Sequence, residues 1–128
     1  MKRLFDTHLI LWAAFEPEKL PNKAKAYLSD MDQPPWFSVA NLWEVSIKAS
    51  LGREDFSVSA SILRTGLLDH GWRELSITGD HIMALSLLPG LHRDPFDRIL
   101  IAQAFASGST LVTHDRAVSA YDGPIEYV

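Results

Sequence analysis

Short apolar segments rich in β-forming residues alternate along this chain with longer helical segments, and this alternation restricts the fold more than any other feature. A strand followed by a helix and another strand favours parallel strands whose connecting helices cover both faces of the sheet. Strands are predicted at residues 2–5, 36–39, 73–77, 110–113 and 125–128. The sequence therefore predicts an α/β fold with a mainly parallel central sheet flanked by helices.

Helices are predicted between these strands from apolar periodicity and from the residues that begin and end helices. They are expected at residues 7–15, 21–30, 40–51, 57–69, 78–88, 96–107 and 116–121. Asp94 followed by Pro95 predicts an N-cap and a first-turn proline, and Gly108 predicts the end of that helix. Residues 99–106 are apolar nearly all round, so this helix is expected to be buried.

The bulk properties restrict the class of protein. A chain of 128 residues indicates a single domain spanning residues 1–128 with a self-sufficient core. The absence of cysteine excludes disulfides and thiolate metal sites. An acidic residue close to the start argues against a signal peptide, and no apolar run reaches the ~20 residues of a membrane span. A cytoplasmic protein is expected, and the net charge of −4 argues against a general nucleic-acid coat.

Four acidic residues lie beside the apolar segments: Asp6, Glu44, Asp97 and Asp115. Carboxylates in such places are normally capped, paired or bound to a cation. Asp6 and Asp115 follow predicted strands, and Glu44 and Asp97 lie in the first turns of predicted helices. Because sites in α/β sheets gather at the carboxyl ends of strands, we expect all four to meet there. Their mutual repulsion would require a hard cation such as Mg2+ or Mn2+.

Two of these acids also have a structural explanation when they are considered alone. Asp6 suits the N-cap of the helix that follows, although Thr7 is equally able to cap and would leave Asp6 free. Glu44 suits a capping box with Asn41, or an ion pair with Lys48 one helical turn later. Neither position by itself indicates a metal site.

The other two acids leave similar alternatives open. If Asp94 is the N-cap before Pro95, Asp97 falls in the first turn, where it either complements the helix dipole or points into the cleft. Asp115 suits a turn or a helix cap. Thr113, two residues earlier, is a candidate to bond a metal-bound water.

Four stretches of the chain, in this order, resemble PIN-domain ribonucleases, and among them the VapC-type toxins of bacterial toxin–antitoxin pairs. The most specific is the third. The stretches are Leu4-Phe5-Asp6-Thr7-His8, residues 38–44 with Trp43-Glu44, residues 92–98 with Ile101-Ala102-Gln103-Ala104, and Leu111-Val112-Thr113-His114-Asp115. Together they extend over residues 4–115, nearly the whole chain.

This resemblance implies a PIN-like three-layer sandwich and metal binding by Asp6, Glu44, Asp97 and Asp115, with Thr113 as a polar neighbour. It implies a metal-dependent endoribonuclease that hydrolyses RNA through a metal-activated water. It also implies a homodimer and a VapB-type antitoxin partner that covers the acidic cleft. A surplus of large apolar side chains agrees with an interface, or is simply internal. These side chains are Leu9, Ile10, Trp12, Phe15, Trp43 and Ile47.

Several further side chains are candidates for contact with RNA. Arg98 and Arg116 adjoin proposed metal ligands and are the first choices for phosphate contacts, and Trp36 and Trp43 are candidates to stack on bases. Further basic candidates are Lys48, Arg53 and Arg93. Four histidines are interpreted as non-ligands because no two share a metal-ligand spacing on one element. They are His8, His81, His92 and His114.

Two other functions compete with the nuclease. The first is a magnesium-dependent phosphatase or phosphoacceptor domain, although His8 stands where a phosphatase of the haloacid-dehalogenase type would carry its second aspartate. The second is a non-catalytic binding module whose acids dock a cation or a basic partner. Metal-dependent cleavage of RNA would distinguish the enzyme from the binding module.

Overall fold

The computed structural model describes residues 2–30, 32–92 and 94–128, and only the backbone of Asp55. Arg93, one of the candidate phosphate contacts, lies outside the described residues. The strands are β1 (Arg3–Phe5), β2 (Trp36–Ser38), β3 (Arg73–Leu75), β4 (Thr110–Thr113) and β5 (Ile125–Tyr127). The helices are α1 (Thr7–Phe15), α2 (Asn22–Ser29), α3 (Val39–Ser50), α4 (Ala60–Asp69), α5 (Gly79–Ser86), α6 (Pro95–Ser107) and α7 (Arg116–Ser119).

The five strands form one sheet in the order β3-β2-β1-β4-β5, and every described pair is parallel. The predicted α/β class is therefore confirmed. The central strand, β1, pairs with β4 so that Leu4 faces Leu111 and Phe5 faces Val112. Because β1 and β4 run side by side in the same direction, the residues that follow them emerge at the same edge of the sheet.

Alternate residues of each strand point to opposite faces, and this places one core on each side of the sheet. Phe5 and Val112 belong to a core that includes buried residues of α1 and α4. Leu4 and Leu111 belong to a second core formed mainly with α6. Two helical layers therefore enclose the sheet, as in the predicted three-layer sandwich. None of the described helices has the length and apolar character needed to cross a membrane.

Helix α6 begins and ends where the sequence predicts. Asp94 caps it by accepting hydrogen bonds from the backbone N–H groups of Phe96 (2.9 Å) and Asp97 (3.4 Å). Pro95 occupies the first helical position, and Gly108 ends the helix with φ of 67°, a left-handed conformation that glycine adopts without strain. The helix is buried along most of its length, so Asp97 in its first turn is held by a rigid element.

Other boundaries differ by a few residues because side-chain caps decide them. Helix α4 begins at Ala60 instead of residue 57, since the Ser59 side chain accepts from the N–H of Ile62. Thr78 caps α5 instead of belonging to it. Two short 3-10 turns, Pro17–Lys19 and Glu54–Phe56, were not predicted. None of these boundary differences involves Asp6, Glu44, Asp97 or Asp115.

Candidate metal centre

The four predicted acids lie around one small cavity at the carboxyl edge of the sheet. Asp6 follows β1, and its N–H donates to the Val112 carbonyl of β4 at 3.0 Å. Helices α3 and α6 bring Glu44 and Asp97 to the same place, and Asp115 follows β4. The cavity has a volume of about 90 Å³. Its lining residues are Asp6, Thr7, His8, Glu44, Lys48, Asp94, Asp97 and Asp115.

Asp6 is buried and both of its carboxylate oxygens accept hydrogen bonds. Oδ1 accepts from the N–H of Leu9 at 3.0 Å, so Asp6 is the N-cap of α1 and Thr7 is not. Oδ2 accepts from the Thr113 hydroxyl at 2.5 Å and from the N–H of His114 at 3.1 Å. Burial raises the pKa of Asp6, while these hydrogen bonds act in the opposite direction. Asp6 therefore caps α1 and lines the acidic cavity at the same time.

Glu44 is also buried and has protein partners on both oxygens. The Thr7 hydroxyl donates to Oε1, and Lys48 Nζ lies 2.5 Å from Oε2. The ion pair with Lys48 considered in the sequence analysis is therefore present. The capping box of α3 is instead formed by Ser38 and Asn41, so Glu44 is not part of it.

Burial also perturbs the pKa of Asp97. Burial raises its pKa to about 6 from an ordinary value of 3.8; a hydrogen bond with His92 lowers it, and the nearby charges of Asp94 and Glu44 raise it. His92 Nε2 lies 2.7 Å from Asp97 Oδ2. An aspartate with this pKa exchanges its proton close to neutral pH.

His92, Asp97 and Asp115 each offer an atom that lies within 4.8 Å of the other two, close enough for one cation to contact all three. Asp115 is exposed and its Oδ1 caps α7 by accepting from the N–H of Ala117 at 2.8 Å. Two carboxylates with an imidazole suit Mn2+ and, through the oxygens, Mg2+. The donor set therefore fits the hard cation that the sequence analysis expects.

His92 is the member of this cluster that sequence reasoning set aside. The sequence predicts a non-ligand because no two histidines share a metal-ligand spacing on one element, whereas the fold places a ring nitrogen of His92 within 4.8 Å of carboxylate oxygens of Asp97 and Asp115. The N–H of His92 donates to the Tyr121 hydroxyl at 3.0 Å, which holds the segment before α6 in place. In the sequence, only the position of His92 just before the Asp94 cap of α6 could have indicated a place in the cluster. Rules that look for metal ligands at a fixed spacing on one element do not use such a position.

The residues proposed for substrate contact have different surroundings. Thr113 is fully buried, donates to Asp6 and accepts from the N–H of Asp115 at 3.0 Å. These contacts favour a role in positioning both acids. Arg98 donates to the Pro89 carbonyl at 2.9 Å and to the Tyr121 hydroxyl at 2.9 Å, which favours a role in holding the loop before α6. Arg116 is exposed, with its guanidinium carbon 4.5 Å from the centre of the Tyr127 ring.

Aromatic side chains near the cluster differ in exposure. Trp43, next to Glu44, is 53% exposed and packs edge-on against Phe96. His114, next to Asp115, is exposed and contacts the half-buried rings of Trp12 and Tyr127, whose centres lie 5.6 Å and 5.3 Å away. Trp36 instead packs against a core and lies beneath the Lys2 ammonium. Of the two tryptophans proposed for stacking, Trp43 therefore has the more accessible ring.

The apolar residues that suggested an interface divide into two groups. Leu9 and Ile10 are core residues, so for them the internal alternative holds. Phe15, Trp43 and Ile47 are exposed, and Trp12 is half-buried.

Residues 3–124 match the family model described as "PIN domain". Among curated proteins, no sequence matches the chain. The solved structures that it resembles have low sequence identity and therefore show a shared fold.

Three such structures have a similar length and topology. VapBC2 from Rickettsia felis, bound to a DNA fragment from its promoter, has a TM-score of 0.74 at 15% identity, covering 99% of this chain and 98% of that one. DNA-bound VapBC from Salmonella typhimurium has a TM-score of 0.72 at 13% identity, and the match covers 100% of this chain and 97% of that one. A toxin–antitoxin complex from Klebsiella pneumoniae has a TM-score of 0.66 at 18% identity, and the match covers 98% of this chain and 96% of that one.

Proposed function

The chain belongs to the PIN-domain family, and from that premise we propose that it is a metal-dependent endoribonuclease of the VapC toxin type. One observation carries the proposal. Asp6, Glu44, Asp97 and Asp115, which come from four separate parts of the sequence, line a single cavity of about 90 Å³. Four carboxylates converging on so small a space are stable only with cations or protons between them.

Mg2+ or Mn2+ is the proposed cofactor. A divalent ion at this place would lower the pKa of a water molecule and stabilise negative charge on a phosphodiester. Asp97, Asp115 and His92 would hold the ion, because their donor atoms lie within 4.8 Å of one another. Asp6 and Glu44 would contribute charge and hold the neighbouring hydroxyls of Thr113 and Thr7.

This chain's own residues supply the proton transfer that hydrolysis needs. A carboxylate of the cluster would accept the proton that the attacking water loses. The products proposed are RNA ends with a 5′-phosphate and a 3′-hydroxyl. Arg116 and Trp43 are the proposed contacts for a phosphate and a base, because both are exposed beside the cluster.

A VapB-type antitoxin and a second copy of the chain are the proposed protein partners. Support comes from the folds that the chain shares with VapBC complexes and from apolar side chains on its surface. Trp43 and Ile47 on α3 and Leu51 at its C-cap follow one another at four-residue intervals, and all three are exposed. Such a stripe marks the face of a helix that another protein covers.

The proposal is tested with purified protein, single-stranded RNA and Mn2+. Cleavage is expected with Mn2+, none with EDTA, and none by Asp6→Asn or Asp97→Asn, which remove a charge but little volume. Asp69→Asn, an exposed acid at the end of α4, is the matched control and should cleave normally. Equal cleavage by all of these variants would refute the assignment.

The same preparation distinguishes the competing functions. Mn2+ binding without cleavage of any RNA would favour a binding module. Release of phosphate from a phosphomonoester, with no internal cleavage of RNA, would favour a phosphatase.

A further inference from the structure

Lys48 is a cation enclosed beside the acidic cavity. It lies on α3 one turn after Glu44, and its side chain is only 15% exposed. Its Nζ is 2.5 Å from Glu44 Oε2 and 3.6 Å from Asp94 Oδ2. The rings of Phe56 and Phe96 lie 4.8 Å and 6.0 Å from the ammonium, so aromatic faces as well as carboxylates surround it.

An ammonium in such a place must be compensated by its neighbours. A lysine normally keeps its charged end in water, and enclosing it is costly unless it is paired. Glu44 and Asp94 supply the compensating negative charge, because their carboxylate oxygens lie 2.5 Å and 3.6 Å from the Lys48 ammonium.

The acidic cluster consequently has two distinct parts. In one part the oxygens of Glu44 are already engaged by Thr7 and Lys48. In the other part, one donor atom from each of His92, Asp97 and Asp115 lies within 4.8 Å of the other two. Paired-metal sites place two ions about 3.5–4 Å apart and bridge them with carboxylates. The Lys48 ammonium already lies against Glu44 Oε2 and Asp94 Oδ2, so a second ion beside these two carboxylates would have to displace it.

We infer that Lys48 is a built-in substitute for a second divalent ion, so that the cluster binds one divalent ion, on the side of His92, Asp97 and Asp115. The inference rests on the proposed metal-dependent function and specifies how many ions the site takes. The ammonium is tethered to the helix that carries Glu44, so it competes with dissolved metal at a high local concentration. Lys48 is thus a positioning residue whose fixed charge holds Glu44 and Asp94.

The number of Mn2+ ions bound per chain tests this inference without any reference to activity. It is measured on the purified chain by calorimetry and by the electron paramagnetic resonance signal of free Mn2+. One ion per chain is expected for the wild type. Lys48→Met keeps the length and packing of the side chain but removes the charge, and it should bind two. Lys48→Arg keeps the charge and should bind one.

Lys23→Met is the matched control. Lys23 also forms an ion pair with a glutamate, Glu126, at 2.7 Å, but it does not line the cavity, so its loss should leave the count at one. Two ions in the wild type would overturn the inference, even if Lys48→Met did not fold. A single ion in a folded Lys48→Met, checked by circular dichroism, would also overturn it.

The outcomes separate this inference from the proposed function. Two ions in a wild-type protein that cleaves RNA would reject the role of Lys48 and leave the nuclease proposal standing. No Mn2+ bound by the wild type, together with no cleavage, would reject both.

Discussion

The Thr113 hydroxyl donates a hydrogen bond of 2.5 Å to Asp6 Oδ2, although the two residues are separated by 107 positions. The contact exists because β1 and β4 are neighbours and both end at the site. Thr113 also accepts from the N–H of Asp115 at 3.0 Å. A single buried hydroxyl therefore links two of the four acids.

Replacing Thr113 by valine should destabilise the protein and weaken its hold on metal. Valine keeps the shape but leaves a buried carboxylate oxygen with one donor fewer, which costs about 1–3 kcal/mol. The pKa of Asp6, already raised by burial, should rise further because the Thr113 hydrogen bond lowers it. The pH midpoint of Mn2+ binding should accordingly shift upward.

Thr113→Ser is the control for this change. It loses a buried methyl group, at a cost of about 1 kcal/mol, but retains the hydroxyl. Urea unfolding and Mn2+ titrations from pH 5 to 8 would compare the two variants. A midpoint that moves equally in both would show that the hydroxyl has no electrostatic role.

Asp97→Asn should stabilise the metal-free protein at neutral pH while removing its function. The pKa of Asp97 is about 6 when folded against 3.8 as its ordinary value, so the folded state binds the proton more tightly. Its contribution to stability is complete below pH about 4 and is lost as the pH rises through about 6. The loss is at most about 3 kcal/mol, from roughly two pKa units.

The free energy of unfolding in EDTA, measured from pH 4 to 8, tests this expectation. The wild type should lose stability relative to Asp97→Asn across that range, whereas Asp69→Asn should run parallel to the wild type. Saturating Mn2+ should reverse the order of wild type and Asp97→Asn, because the ion binds the ionised form. Parallel curves for wild type and Asp97→Asn in EDTA would mean that Asp97 titrates normally.

His92→Ala should discriminate between metals. Imidazole is a better ligand for Mn2+ than for Mg2+, which prefers oxygen. If His92 Nε2 contacts the ion, the affinity for Mn2+ should fall about tenfold more than the affinity for Mg2+. If His92 acts only through its 2.7 Å hydrogen bond to Asp97, both affinities should fall equally. Calorimetric titrations with each metal distinguish the two cases.

Arg98 and Arg116 should behave differently when each is replaced by alanine. Arg98→Ala removes hydrogen bonds to Pro89 and Tyr121 and should lower the free energy of unfolding by about 1–3 kcal/mol without changing RNA affinity. Arg116→Ala should leave stability within about 0.5 kcal/mol, since the side chain is exposed.

RNA binding completes the comparison. It is measured at several salt concentrations in an Asp97→Asn background that does not cleave. Arg116→Ala should reduce the slope of log affinity against log salt by about 0.7, the value for one phosphate contact on a single strand. The same reduction of the salt slope in Arg98→Ala would show that Arg98 contacts a phosphate after all.

Much of the fold could be predicted because the signals that encode it are local. Asp94, Pro95 and Gly108 mark the ends of α6 by their own backbone preferences, and the structure confirms both ends. The order of strands and helices predicted a parallel sheet, which in turn predicted that acids following strands would converge. Asp6 and Asp115 could be identified as candidate site residues from this reasoning alone.

The partners of those acids depended on packing between segments far apart in sequence. The sequence determined the order of the elements, the caps of α6 and the acids at the sheet edge, because each is a matter of residue type and short-range spacing. Only the tertiary structure decided that His92 joins Asp97 and Asp115, that Lys48 is enclosed between Glu44 and Asp94, and that Arg98 faces a loop. Side-chain contacts of this kind follow from how helices seat on the sheet, and no local preference encodes that arrangement.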